Sequence, residues 1–176
     1  MKKPIQKTVF SALCIAMGLL LPFLTAQIQT LGNMLLPMHF PILLCGLLCG
    51  WQYGAAAGAV TPLLRSVLFG MPKLYPSALG MAAELLTYGL VAGLLCKLLP
   101  KKRIASLYLS LAGAMVAGRL VWGAAQALLL GFNGESFSLS LFWSGAFLTA
   151  WPGILLQLIL LPPTVLAIQK MQQNKK

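Results

Sequence analysis

Three ionisable side chains fall deep inside apolar stretches of this chain: Arg65, Glu84 and Arg119. A charge set within hydrocarbon costs at least ~2.5 kcal/mol, so it normally faces a protein interior or a wet cavity and marks a functional site by default. Arginines beside one carboxylate suit the capture of an anion, because a guanidinium grips a carboxylate or phosphate through two parallel hydrogen bonds. With His39, the one histidine of the chain, Glu84 and Arg119 could instead run acid and base chemistry. The bland alternative is an ion pair that only ties two helices together.

Spacing enlarges the group. Glu84 and Tyr88 stand four apart, and Trp122 and Gln126 follow Arg119 by three and seven, so each set lies along one helical face. Asn33 and His39 fall at the same outer level. Fixed polar groups beside aromatic area are what a small-molecule site needs. Each also has a structural reading: His39, near Pro41, would cap its helix or bond a loop carbonyl, and Tyr88 and Trp122 would pack. Trp143 reads as an interface anchor and Gln157 as a packing hydrogen bond between helices. Two arginines against one glutamate leave one net positive charge, which favours an anionic ligand. Glu84 would either orient an arginine or accept hydrogen bonds from the ligand.

The elements that must position these residues follow from composition. The chain has 176 residues, 59% hydrophobic and 9% charged, with a mean hydropathy of +0.87. A single soluble core of this size cannot cover that much apolar surface, so this is an all-α integral membrane protein, expected as one domain over residues 1–176. The apolar runs predict six helices, near residues 8–28, 39–50, 54–70, 77–96, 104–130 and 139–169. The first run is long enough to span and lacks a convincing cleavage site, so it reads as a helix and not a leader. The second is short and must tilt or be protected by neighbours.

Between them, residues 27–38 and Met71–Pro76 read as outer loops, as do residues 131–138, with Asn133, Gly134 and Glu135. Trp51, Gln52 and Tyr53 read as a tight inner turn. Gly54, Ala55, Gly58 and Ala59 make a small-residue face for close helix packing. Pro62 predicts a kink one turn before Arg65, and Pro152, Pro162 and Pro163 a bent or broken last helix.

At ~1.5 Å rise per residue, Arg65 and Arg119 stand ~18 and ~22 Å above the inner boundary and Glu84 ~10 Å below the outer one. In a core ~30 Å thick all three lie in the outer half, which predicts one polar pocket open to the outside.

The formal charge is +11, from 13 basic and 2 acidic residues. Its bulk sits at the termini and at Lys97, Lys101, Lys102 and Arg103, so it signals cytoplasmic termini and anionic lipid instead of nucleic acid. Lys73 is the one basic residue of the outer loops. Cys14, Cys45, Cys49 and Cys96 lie in apolar runs without CxxC spacing, so neither a metal site nor a disulfide framework is expected. The chain has no phosphate-cradling loop, no internal repeat and no nucleophile motif.

The segments PMHFPILLCGLLCGWQYGAAAGAVTPLLRSVLFGMP, from Pro37 to Pro72, and AELLTYGLVAGLL, from Ala83 to Leu95, resemble the substrate-binding S components of energy-coupling factor (ECF) transporters, over essentially the whole chain. Ala12 and Ala16 supply the AxxxA spacing that such proteins commonly carry on their first helix. The resemblance implies an S-component-like bundle of six membrane helices, multi-pass in a bacterial plasma membrane. It also implies capture of a vitamin or precursor from outside and docking through Ala12 and Ala16 on a transmembrane coupling subunit. Two cytoplasmic ATPases would supply the energy, with no cofactor in this chain, and toppling in the bilayer would carry the pocket inward. Outer loops close over the ligand in this family, which assigns lid contacts to Asn33, Leu74, Tyr75 and Phe137. The charge count fits an anionic vitamin such as pantothenate, while pyridoxine-like or folate-like molecules stay open. A small intramembrane enzyme and a non-catalytic structural subunit are the competing readings.

Overall fold

The computed structural model describes residues 4–25, 34–100, 104–132, 142–144 and 148–174. Helix α1, Pro4–Leu20, opens on a proline, tolerated in a first turn whose N–H groups have no helical partner. Ser11, Cys14 and Gly18 form its narrow buried stripe, while Ile5, Val9, Leu13 and Leu20 face outward. The helix tightens into a 3-10 turn, Leu21–Thr25. The described part of the first helix therefore starts and ends earlier than residues 8–28.

Helix α2, His39–Cys49, has only 11 residues, yet nine of them are buried. At ~1.5 Å per residue it is too short to span. Packing against α1 and the helices that follow shields its backbone and ends.

Gly50, with φ 100°, makes the whole turn after α2, its N–H reaching Gly46 O at 3.1 Å. A side chain is strained at that φ, so glycine alone permits so short a link. Trp51, Gln52 and Tyr53, expected as the turn, instead begin helix α3, Trp51–Phe69. Its buried face is Gly54, Ala57, Gly58 and Thr61, with Ala55 and Ala59 only half-buried at its edge. A Cβ at Gly54 would lie 2.6 Å from Gly46 Cα, so the backbones of α2 and α3 touch there and no larger residue fits. The helix continues through Pro62.

A turn, Leu74–Ala78, with extended backbone at Tyr75, leads from the loop into α4, Leu79–Leu98. The peptide bonds before Pro72 and Pro76 are cis. Helix α4 is the centre of the bundle and packs on α2, α3 and α5, Ile104–Phe132. Of the last helix expected over 139–169, the described residues 142–143 are helical and the main part is α6, Trp151–Asn174. Thr149 and Ala150 form a turn and Pro152 sits in the first turn of α6, so the expected break falls there, while the helix runs on through Pro162 and Pro163.

No strand occurs among the described residues, and four helical segments are long and apolar enough to cross a membrane: Pro4–Leu24, Leu74–Leu98, Ile104–Gly131 and Trp151–Met171. Helix α3, although 19 residues long, is not among them, because small residues, Gln52, Thr61, Arg65 and Ser66 dilute its apolar content. Among the described residues there are six α-helices, and four of them have the length and composition of a span. Outward-facing Val9, Leu109, Val116, Leu120, Leu128 and Ile159 suit contact with lipid.

Candidate functional site

His39 opens α2, Glu84 lies in the second turn of α4, and Arg119 lies midway along α5. Their side chains converge. Arg119 Nη1 is 3.0 Å from Glu84 Oε1, and His39 Nε2 is 3.3 Å from the same oxygen. The three residues are 1–4% exposed. Tyr88, one turn beyond Glu84, is as deeply buried; its ring meets His39 edge-on at 5.1 Å between centroids. Its ring also crosses Gly118, where a Cβ would lie 2.8 Å from the ring carbons.

The polar atoms of this cluster are incompletely paired. His39 Nδ1 and Nε2, Glu84 Oε1, and Arg119 Nε and Nη2 are buried and have no aligned hydrogen-bond partner. Buried polar groups are nearly always bonded, and each bare one costs about 1–3 kcal/mol. Three of these atoms, His39 Nδ1, Arg119 Nε and Arg119 Nη2, also take no part in the ion-pair contacts. Arg119 spends Nη1 on Glu84, and its Nε–Nη2 edge, which presents two parallel N–H groups, stays open.

Gln126, 8% exposed on α5, lies against Gly80, where a Cβ would stand 2.9 Å from its Nε2. Trp122 is half-buried and stacks on Phe142 at 6.4 Å and 28°. Asn33, Phe137, Lys101, Lys102 and Arg103 lie outside the described residues. Leu74 and Tyr75 are exposed, and the Tyr75 hydroxyl donates to Leu129 O near the end of α5. No group of three or more His, Cys, Asp or Glu that could hold a metal ion occurs among the described residues.

Arg65 does not join the cluster. Its Nη1 donates to Leu19 O at 2.6 Å, and its guanidinium carbon lies 5.2 and 5.5 Å from the rings of Phe23 and Phe69. The helical position that sets its height also turns it toward α1, where a carbonyl near the end of that helix accepts from it. The expected surplus of positive charge therefore disappears: the cluster holds one guanidinium and one carboxylate. The case for an anion passes from net charge to the open edge of Arg119.

Sequence reasoning missed four supports. Gly80 and Gly118 leave room for Gln126 and Tyr88, and Gly80 stands one turn before Glu84 on the same face, a signal that was readable. Phe142 backs Trp122. Leu36, at φ 50°, accepts from His39 N at 3.0 Å and from Gln157 Nε2 at 3.4 Å, so α6 helps fix the start of α2. Gln157 thus bonds a turn as well as packing.

The described residues form an apolar helical bundle of the membrane-protein type with a buried, incompletely paired polar cluster at its centre. The family model "ECF transporter, substrate-specific component" matches residues 6–165, nearly the whole chain. The chain belongs to that family and is thus a multi-pass membrane protein of the substrate-binding kind that works with a coupling subunit and ATPases. Comparison with curated proteins and with solved structures returned no match.

Proposed function

We propose that this chain captures a small carboxylate-bearing vitamin or precursor, of which pantothenate is an example, without converting it. The carboxylate is gripped through Nε and Nη2 of Arg119. Glu84 holds that guanidinium in place, His39 and Tyr88 bound the pocket, and Trp122 and Gln126 line the approach. The observation that carries this reading is the buried, open edge of Arg119 beside an Nη1 already paired with Glu84. A bidentate acceptor satisfies two of the three atoms outside the ion pairs at once.

Delivery follows the family pattern. Both termini face the cytoplasm, the pocket opens outward, and partner ATPases supply the energy. The coupling subunit docks on the outer face of α1, where Ala12 and Ala16 are exposed between apolar neighbours. Small exposed residues one turn apart let another helix come close.

Mass spectrometry of small molecules carried through purification, followed by a binding panel of vitamins, tests the capture reading. A one-to-one complex with a carboxylate compound, lost in Arg119→Gln, is expected. Turnover of a panel member, or equal binding by the Arg119→Gln variant, would refute it.

A further inference from the structure

We propose that the captured carboxylate also carries a hydroxyl, and that Nδ1 of His39 selects it, so that the site takes a hydroxy acid. This rests on the anion-capture reading above and adds a second point of recognition. Three buried atoms of the cluster stand outside its ion pairs: Arg119 Nε and Nη2, which the carboxylate takes, and His39 Nδ1. His39 is 1% exposed, and a polar atom at that depth is nearly always matched by a partner. The two open places lie within reach of one small molecule. His39 Nε2 and Arg119 Nη1 stand 3.3 and 3.0 Å from the same oxygen, Glu84 Oε1, and in each side chain a single carbon separates that nitrogen from an open one.

Among the described residues no group of the chain bonds Nδ1. The Tyr88 ring approaches the imidazole edge-on at 5.1 Å, but its hydroxyl bonds the Glu84 carboxylate. Leu36 O already accepts from the His39 backbone N–H and from Gln157 Nε2. The next residues of α2, from Phe40 to Leu44, carry hydrocarbon side chains. Arg65 is engaged on the α1 side by Leu19 O, Phe23 and Phe69. The partner of Nδ1 therefore comes with the ligand, as the partner of the Arg119 edge does.

The chemistry of an imidazole nitrogen chooses the partner. Nδ1 donates when it carries a hydrogen and accepts when it does not, and the place of that hydrogen depends on what Nε2 meets. A carboxylate only accepts and an ammonium only donates, so each fits one state of the ring. A hydroxyl does both from one atom and pairs with Nδ1 in every state. The assignment thus needs no particular protonation of His39 or Glu84. A ligand without the hydroxyl seals Nδ1 away from water unpaired, which lowers its affinity by about tenfold or more relative to the hydroxylated analogue.

Butanoate and its α-, β- and γ-hydroxy derivatives move a hydroxyl along one short acid, and the corresponding aminobutanoates put an ammonium in the same places. Binding of each to the full-length protein in detergent is measured by calorimetric titration, with Arg119→Gln as the site control. One hydroxybutanoate is expected to bind at least about tenfold tighter than butanoate and than its amino counterpart. That ratio should fall to about one in His39→Phe, whatever the absolute affinity of the variant. His39 is the one histidine in the chain, so 15N-imidazole labelling of the unmodified protein checks the same contact without a substitution. The Nδ1 resonance should shift with the preferred hydroxybutanoate and not with butanoate. Arg119-dependent binding that is equal across the series, that prefers the ammonium, or whose hydroxyl preference survives in His39→Phe or leaves Nδ1 unmoved, overturns the hydroxyl assignment and leaves anion capture standing. Absence of Arg119-dependent binding by every member of the series refutes capture and hydroxyl recognition together.

Discussion

Glu84 Oε1 lies 3.0 Å from Arg119 Nη1, and that one contact leaves the opposite edge of the guanidinium open. If the pair served only to tie α4 to α5, a fully engaged guanidinium would do it better. In the proposed capture the carboxylate aims the arginine.

Replacing Arg119 separates charge from shape. Arg119→Lys keeps the charge but loses the parallel N–H pair, and the affinity for the co-purified compound should drop by about 10- to 100-fold, the loss of one charge-assisted hydrogen bond. Calorimetric titration checks it. Unchanged affinity would mean that the open edge is not what holds the ligand.

For Glu84 the outcome is different in kind. Glu84→Gln leaves Arg119 unneutralised and free to turn, so ligand binding should weaken while the helical content by circular dichroism stays the same. Collapse of the fold in both Glu84→Gln and Arg119→Gln would support a structural ion pair.

Arg65 should behave as a tie between α1 and α3. Arg65→Met removes a charged hydrogen bond to Leu19 O and two ring contacts, and should lower stability by about 1.5–3 kcal/mol. Thermal unfolding measures this. Affinity should change far less than in Arg119→Lys; the opposite ranking would return Arg65 to the ligand site.

Crowding at the helix crossing gives a packing test. Gly54→Leu drives a side chain into the backbones of α2 and α4, and should cost at least the ~1–3 kcal/mol of an overpacked core. Loss of the monodisperse peak in size-exclusion chromatography is expected, while Ala56→Leu, on the exposed side of the same helix, should be tolerated.

Docking can be probed apart from capture. Ala12→Trp and Ala16→Trp place bulk on the exposed face of α1 and should abolish co-purification with the coupling subunit while leaving vitamin binding intact. Retained association in both variants would move the docking surface elsewhere.

Composition and spacing alone determined that this chain is a helical membrane protein, that Glu84 and Arg119 meet at one height, and which family it resembles. Those features depend on hydropathy, rise per residue and local motifs, all linear quantities. Tertiary structure decided the rest. Arg65 shares the expected height but faces α1, because height follows from counting residues while direction follows from how a helix is rotated against its neighbours. The same rotation replaced Ala55 and Ala59 by Ala57 and Thr61 beside the retained Gly54 and Gly58 on the packed face of α3, a shift of about a quarter turn that small, uniformly apolar residues do not signal. His39 reached Glu84 because α2 is buried almost all round and Gly50 turns the chain in a single residue, a conformation set by a torsion angle and not by a pattern of side chains.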